Sequence, residues 1–308
     1  MSDSANLNKE MNITKVDEKT EETTPIEPGE RDEFIDVMIV MDSTGSMQTW
    51  INSARDTVLE AFDSIKKDYP VGRIRLGLVC YRDFDVNENE RFVLHPLTDQ
   101  INDVQNTLRA VKAKGGDDQA EDVAGGLEKT LEAFRLPHPA SVTPTRICLF
   151  VADQPAHGLR YHAITVGDRY PKGDPNGLEP YQQVSELATM GVDMTVFRID
   201  KSMDKMIETF SEAYNGKDGT FVLLDVVKQF SELDRTSLVR RSFDLPREES
   251  LASGFIDLAS YDSDPYRGPV PAPVAIERAP SDETFRTATY TSVAQSIERR
   301  REKSKERK

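Results

Sequence analysis

Over residues 34–224 the chain alternates short apolar runs with segments whose apolar residues recur every three to four positions, and that alternation leaves few architectures open. Strands are predicted over 35–41, 73–83 (RIRLGLVCYRD), 91–98 (RFVLHPLT), 145–153 (TRICLFVAD), 192–199 (VDMTVFRI) and 219–224 (GTFVLL). Helices are predicted over 46–67, 99–113, 120–135, 181–190 and 202–214, with a further helix reaching about residue 234. Strands that alternate with helices imply a mostly parallel sheet covered on both faces. The expected fold is therefore α/β, a doubly wound, mostly parallel six-stranded sheet with helices on both faces. One exception is expected within it. The strands 73–83 and 91–98 are joined by the acidic turn DVNENE and are close enough to pair as an antiparallel hairpin.

The two ends read differently. Residues 1–33 form an acidic stretch without periodic apolar pattern, and residues 235–308 contain the Pro-rich run SYDSDPYRGPVPAPVAIERAPSD and the basic run IERRREKSKERK. One domain over 34–234, flanked by disordered tails, is the expected organisation, and a chain of 308 residues can bury a real core in it. No run approaches the roughly 18 apolar residues of a membrane span, and the N-terminus MSDSANLNKE has no apolar signal core, so a cytoplasmic address and no transmembrane segment are expected. Cys80 and Cys148 fall within predicted strands and suit buried free thiols in a reducing compartment. A net charge of -15 argues against nucleic acid, whose phosphates want a basic face, and favours cations and basic proteins.

The chemistry concentrates at strand ends. In FIDVMIVMDSTGSM an apolar strand terminates in Asp42, Ser43, Thr44, Gly45 and Ser46. Asp42, Thr44 and Ser46 stand two residues apart, and alternate residues of extended chain face the same way, so three side-chain oxygens can converge. Two hydroxyls and a carboxylate suit a hard cation, Mg²⁺ or in its place Mn²⁺ or Ca²⁺. The strand 145–153 ends in a second carboxylate, Asp153, and the glycine loop KGGDDQ offers a third from Asp118 or Asp117. A helix cap would need only one such residue. Residues 154–179 carry Gly and Pro punctuation without periodicity and read as a functional loop above the site, with His157 and His162 as possible partner contacts. Arg82 and Asp83 are expected to pair with each other, Trp50 to anchor in the core, and Glu121 and Asp122 to complement the start of a helix.

These residues resemble a known family. DSTGSM matches the D-x-S/T-x-S motif of the von Willebrand factor A (vWA) domain, and CYRDF (80–84), GGDDQAEDV (115–123), ADQPAHG (152–158) and YH with a following DRYPKG are similar, in order, to the intracellular vWA domains of vWA-containing alpha-kinases. The resemblance spans about residues 33–230. It implies a metal-ion-dependent adhesion site in which Asp42, Thr44, Ser46, Asp118 and Asp153 hold the ion, and a strand order that places the first strand between those carrying Cys80 and Cys148. Related domains read GGGD-x-PED where this chain has GGDDQAED, so that Asp118 matches the acidic position while Asp117 replaces a glycine. Ala156 stands where they have cysteine. The remaining tail is too short and polar for an alpha-kinase domain to be expected after it.

The expected function is a non-enzymatic protein-interaction module in which an Asp or Glu of a partner protein completes the shell of the ion. Two alternatives are weighed against it: a hydrolase using Ser46 or Asp42 as nucleophile, with Asp153 and His157 as orienter and base, and a vWA scaffold that binds no ion. The hydrolase lacks a G-x-S-x-G elbow, and neither a P-loop nor a dinucleotide fingerprint is present.

Overall fold

The computed structural model describes residues 33–70, 72–140, 142–225 and 282–306. In chain order these form β1 (Glu33–Asp42), a 3₁₀ turn (Gly45–Met47), α1 (Gln48–Asp68), β2 (Gly72–Tyr81), the single turn α2 (Glu88–Arg91), β3 (Phe92–Thr98), α3 (Ile101–Ala110), α4 (Val123–Arg135), β4 (Thr145–Ala152), α5 (Pro180–Thr189), β5 (Val192–Arg198), α6 (Asp204–Ala213), β6 (Phe221–Asp225) and α7 (Asp282–Glu306). The strands make one sheet in the order β3-β2-β1-β4-β5-β6. All neighbours run parallel except β2 and β3, which form the expected antiparallel hairpin.

Alternate residues of each strand enter different layers, as the two-residue period of a strand requires. Ile35, Val37, Ile39 and Met41 of β1, with Ile147, Leu149 and Val151 of β4, join the layer under α1, α3 and α7. Met38 and Val40, with Cys148, Phe150 and Ala152, join the layer under α4, α5 and α6. Trp50 lies in the first layer, as expected. β1 sits between β2 and β4, and Cys80 and Cys148 are both free and buried. Two acids interrupt the apolar strands and both are matched. Asp36 receives two hydrogen bonds from Arg75, at 2.8 and 2.7 Å, and Asp193 accepts from the Thr220 amide at 2.8 Å and faces Arg299 at 3.3 Å.

The expectation of disorder is corrected over 282–306. This stretch is the helix α7, which packs along α1 and reaches β4. Phe285, Ala288, Val293 and Ile297 enter the apolar layer, and Thr289, Ser292 and Ser296 on the same face are buried with them. Its basic residues hold the domain rather than standing free: Arg301 grips Glu33 with two bonds of 2.8 Å, and Arg300 donates to the Gly191 carbonyl. The helix expected to reach residue 234, the Pro-rich run and the N-terminal tail lie outside the described residues.

Candidate metal centre

β1 is the point at which the sheet order reverses, with β2 on one side and β4 on the other. In open α/β sheets ligands sit beyond the carboxyl ends of the strands at such a point. Asp42 closes β1, Asp83 follows β2 and Asp153 follows β4, so three carboxylates arrive at this edge from three strands. A fourth segment is tied to them through the backbone, since the Gly45 amide donates to Gly115 O at 3.1 Å and the Lys114 amide to Ser43 O at 3.0 Å. Gly116 turns this segment at a φ of 90°, and a Cβ there would come within 3.0 Å of Glu121 Oε1 and 3.2 Å of Thr44 Cβ. Glycine is therefore needed both for the turn and for the close approach.

Asp42 Oδ1 accepts from the Thr44 amide and from the Thr44 hydroxyl, each at 2.8 Å. The alternation expected along extended chain holds only as far as Thr44, because Gly45–Met47 winds into a 3₁₀ turn. The Ser46 hydroxyl nevertheless reaches Asp153, as does the Asp42 carboxyl, and Glu121 approaches the Thr44 hydroxyl. Asp42, Thr44, Ser46 and Asp153 are thus brought together.

The electrostatics of the cluster are unfavourable. Burial pushes the Asp42 carboxyl well above the usual carboxylate range, and the charge of Asp153 pushes it further. Burial, then Asp42 and Asp83, raise Glu121 to about 11. Burial raises Asp153 as well. One buried oxygen on each of Asp42, Asp83, Asp118, Glu121 and Asp153 accepts no hydrogen bond from any described residue. Buried carboxylate oxygens are ordinarily hydrogen-bonded, so a group of orphans needs an explanation. A donor set made only of carboxylates and hydroxyls fits a hard divalent cation.

The remaining candidates fall elsewhere. Asp118 accepts from the Arg169 amide at 2.6 Å and gathers with His157 and Asp168 rather than with Asp42. Asp117 is exposed and faces Arg169 at 3.7 Å. The acid that the 115–122 segment presents beside Thr44 is Glu121, read from sequence only as a helix-start residue; Asp122 does cap α4, accepting from the Gly125 amide at 2.7 Å. His157 and His162 are not solvated loop residues. They are 2% and 1% exposed, which removes them from the surface where a partner would be met. His157 Nε2 lies 2.7 Å from Asp83 Oδ1 and Nδ1 lies 2.8 Å from Asp168 Oδ1, while His162 Nε2 lies 2.9 Å from Asp168 Oδ2. Burial disfavours the His157 imidazolium, but the bonds to Asp83 and Asp168 outweigh it and raise its pKa. The expected pairing of Arg82 with Asp83 is likewise corrected: Arg82 donates to the carbonyls of Glu90 and Lys112, which leaves Asp83 to His157. Nor is the Ser46, Asp153 and His157 triad assembled, because both His157 nitrogens are engaged by Asp83 and Asp168.

No family model matches the chain. Over 181 residues it is 28% identical to the alpha-protein kinase vwkA of Dictyostelium discoideum, an alignment covering 58% of this chain and 28% of the kinase. The fold is the doubly wound, mostly parallel six-stranded α/β sheet expected from the sequence. Among solved structures, this chain is similar to the SpRpn10 VWA domain, at 13% identity and a TM-score of 0.40 over 62% of this chain and 87% of that one. It is also similar to the pilus adhesin SpaC of Lactobacillus rhamnosus GG, at 14% identity and a TM-score of 0.45 over 63% of this chain and 28% of that one. Among the described residues, no helix is long and apolar enough to cross a membrane.

Proposed function

We propose that this vWA domain is a protein-interaction module whose contact with a partner depends on a divalent cation. Asp42, Thr44, Ser46 and Asp153 would hold the ion, Mg²⁺ or in its place Mn²⁺ or Ca²⁺, with Glu121 rather than Asp118 or Asp117 as the acid from the glycine loop. The partner would supply an Asp or Glu side chain to the ion's open position. Bound there, the ion supplies positive charge to a crevice that otherwise repels carboxylates. The observation that carries this reading is the group of buried, donorless oxygens on Asp42, Glu121 and Asp153 at the point where the sheet order reverses. Like charges about 4 Å apart repel by roughly 4 kcal/mol at an effective dielectric near 20, and a divalent ion removes that cost.

Thermal melting in EDTA and in Mg²⁺ tests the proposal. At a hundredfold excess over Kd the ion adds about 2.7 kcal/mol to the wild-type chain and nothing to Asp42→Ala. An equal shift in both chains, or none in either, leaves the metal-free scaffold as the better account. A partner should then be captured from extract in Mg²⁺ and released by EDTA.

A further inference from the structure

We propose that Asp118, His157 and Asp168 form a second cation site, for a borderline transition metal such as Zn²⁺, beside the oxygen-only cluster around Asp42. One ligand atom from each of the three lies within 4.8 Å of the others. One imidazole with two carboxylates is a donor set for Zn²⁺ and its neighbours, whereas Mg²⁺ takes oxygen ligands. The acid that the family pattern would send to the first site is thus placed in a different constellation, made largely by the 154–179 loop.

The three groups are held in position from behind. Asp168 accepts from the backbone amides of Gly158, at 2.8 Å, and Tyr170, at 2.7 Å, while His162 Nε2 steadies its Oδ2 at 2.9 Å. Asp118 is fixed through Oδ2 by the Arg169 amide, whose guanidinium is turned away to Asp117. His157 is fixed by Asp83, which is fully buried and 2.7 Å from Nε2. A carboxylate on one imidazole nitrogen selects the tautomer that presents the other to a metal, the arrangement usually found behind ligating histidines. Here that other nitrogen is Nδ1, the one facing Asp168. Metal entry displaces the proton shared between Nδ1 and Asp168 into solvent and needs no other reactant.

An imidazolium clamped between Asp83 and Asp168 would account for His157 without a metal. It would not account for Asp118, whose Oδ1 is buried and accepts no hydrogen bond from any described residue. Zinc bonds of about 2.0–2.2 Å put tetrahedral ligand atoms roughly 3.4 Å apart, so atoms within 4.8 Å close on an ion by side-chain rotation alone. Asp118 is half-buried, which leaves an entry from solvent.

Co²⁺, a spectroscopic stand-in for Zn²⁺, tests the site in the full chain. In Asp42→Ala, where the first site is disabled, we expect one equivalent of Co²⁺ to give visible d–d bands distinct from those of the hydrated ion. Zn²⁺ should abolish the bands and a thousandfold excess of Mg²⁺ should not. Asp118→Asn in the same background should weaken Co²⁺ binding at least tenfold without lowering the melting temperature, since Asp118 is half-exposed, and Asp83→Asn should weaken it by about 10–100-fold. If Asp42→Ala does not fold, the wild-type chain saturated with Mg²⁺ takes its place. Absence of the bands, or equal Co²⁺ affinity with and without the Asp118 carboxylate, overturns the proposal. Because these signals are read with the first site disabled or filled, their failure is distinguishable from failure of the Mg²⁺ reading.

Discussion

Replacing Glu121 by Gln should stabilise the metal-free protein, although it alters a residue proposed to face the ion. Glu121 is 2% exposed, one of its oxygens has no donor, and burial with Asp42 and Asp83 raises its pKa from 4.5 to about 11. At pH 7 the folded chain therefore keeps a proton that the unfolded chain has lost. One pKa unit is worth 1.36 kcal/mol, so holding that proton 2.5 units above its ordinary pKa costs about 3 kcal/mol. The sign follows from proton binding. The folded state binds more protons than the unfolded state between 4.5 and 11, so stability is greatest below the lower value and falls by about 1.4 kcal/mol per pH unit above it. Glutamine has nearly the shape of the protonated acid and no proton to hold. In EDTA, Glu121→Gln should match wild type near pH 5, exceed it by about 2–3 kcal/mol at pH 7, and exceed it further at pH 8.5. Urea denaturation at these pH values reads the difference directly, provided the m-values agree. Saturating Mg²⁺ should shrink the advantage, because the ion stabilises the carboxylate that the variant lacks. Parallel pH profiles for the two chains, or a variant less stable at every pH, would refute the argument that Glu121 is a buried acid without a partner.

Three further outcomes are expected. Phe285→Ala removes a ring 1% exposed and stacked 5.7 Å from Phe197, so it should cost about 3–5 kcal/mol and lower the melting temperature by roughly 10 °C. A cost under about 1 kcal/mol would mean that α7 is not docked on the domain. Gly116→Ala puts a Cβ 3.0 Å from Glu121 Oε1 on a backbone with φ of 90°, and it should abolish the Mg²⁺-dependent melting shift at a cost to the metal-free fold of only about 1–2 kcal/mol. Because Asp42, Asp153 and Glu121 all have raised pKa values, Mg²⁺ must expel protons as it binds, and its affinity should climb from pH 5.5 to 8. Calorimetry in two buffers of different ionisation enthalpy counts those protons, and a count of zero would contradict the expectation.

The sheet was legible because its signal is local. Apolar runs such as VMIVM and CLFVA and the three-to-four spacing of the helices report burial without reference to any partner. Asp42 and Asp153 were legible for the same reason, each being a carboxylate at the tip of an apolar strand. α7 was not, because much of its buried face is Ala288, Thr289, Ser292 and Ser296, small and polar residues that hide a core-facing stripe inside a basic segment. Glu121, Asp83 and Asp168 were missed for a different reason. Their roles arise from which segment lies opposite: the Glu121 amide donates to Pro155 O at 2.9 Å, and the Gln119 and Ala120 amides both donate to Gly167 O at 3.0 Å, so the two loops meet across some 40 residues of sequence. Nothing in the local spacing of GGDDQAED distinguishes Asp118, which turns to that loop, from Glu121, which turns to Thr44.

Partnering separates structural acids from site acids more reliably than their positions in the sequence. Asp36 and Asp193 lie inside apolar strands, where an unpaired carboxylate costs most, and both are matched, by Arg75 and by Thr220 with Arg299. Asp42, Glu121 and Asp153 are buried at the strand tips and in the loop beside them, each with an oxygen left unmatched. Among the described residues an arginine reaches Asp36 but none is bonded to Asp42, and Arg82, one residue past the end of β2, spends its guanidinium on the carbonyls of Glu90 and Lys112. Acids left without a bonded cation are what a site built to receive an external positive charge requires. Glu121→Lys would place that charge permanently, and it should abolish the Mg²⁺ response in melting experiments while leaving the metal-free chain at least as stable as wild type at pH 8.5. A variant that still shifts with Mg²⁺ would show that the ion, where it binds, is not held beside Glu121.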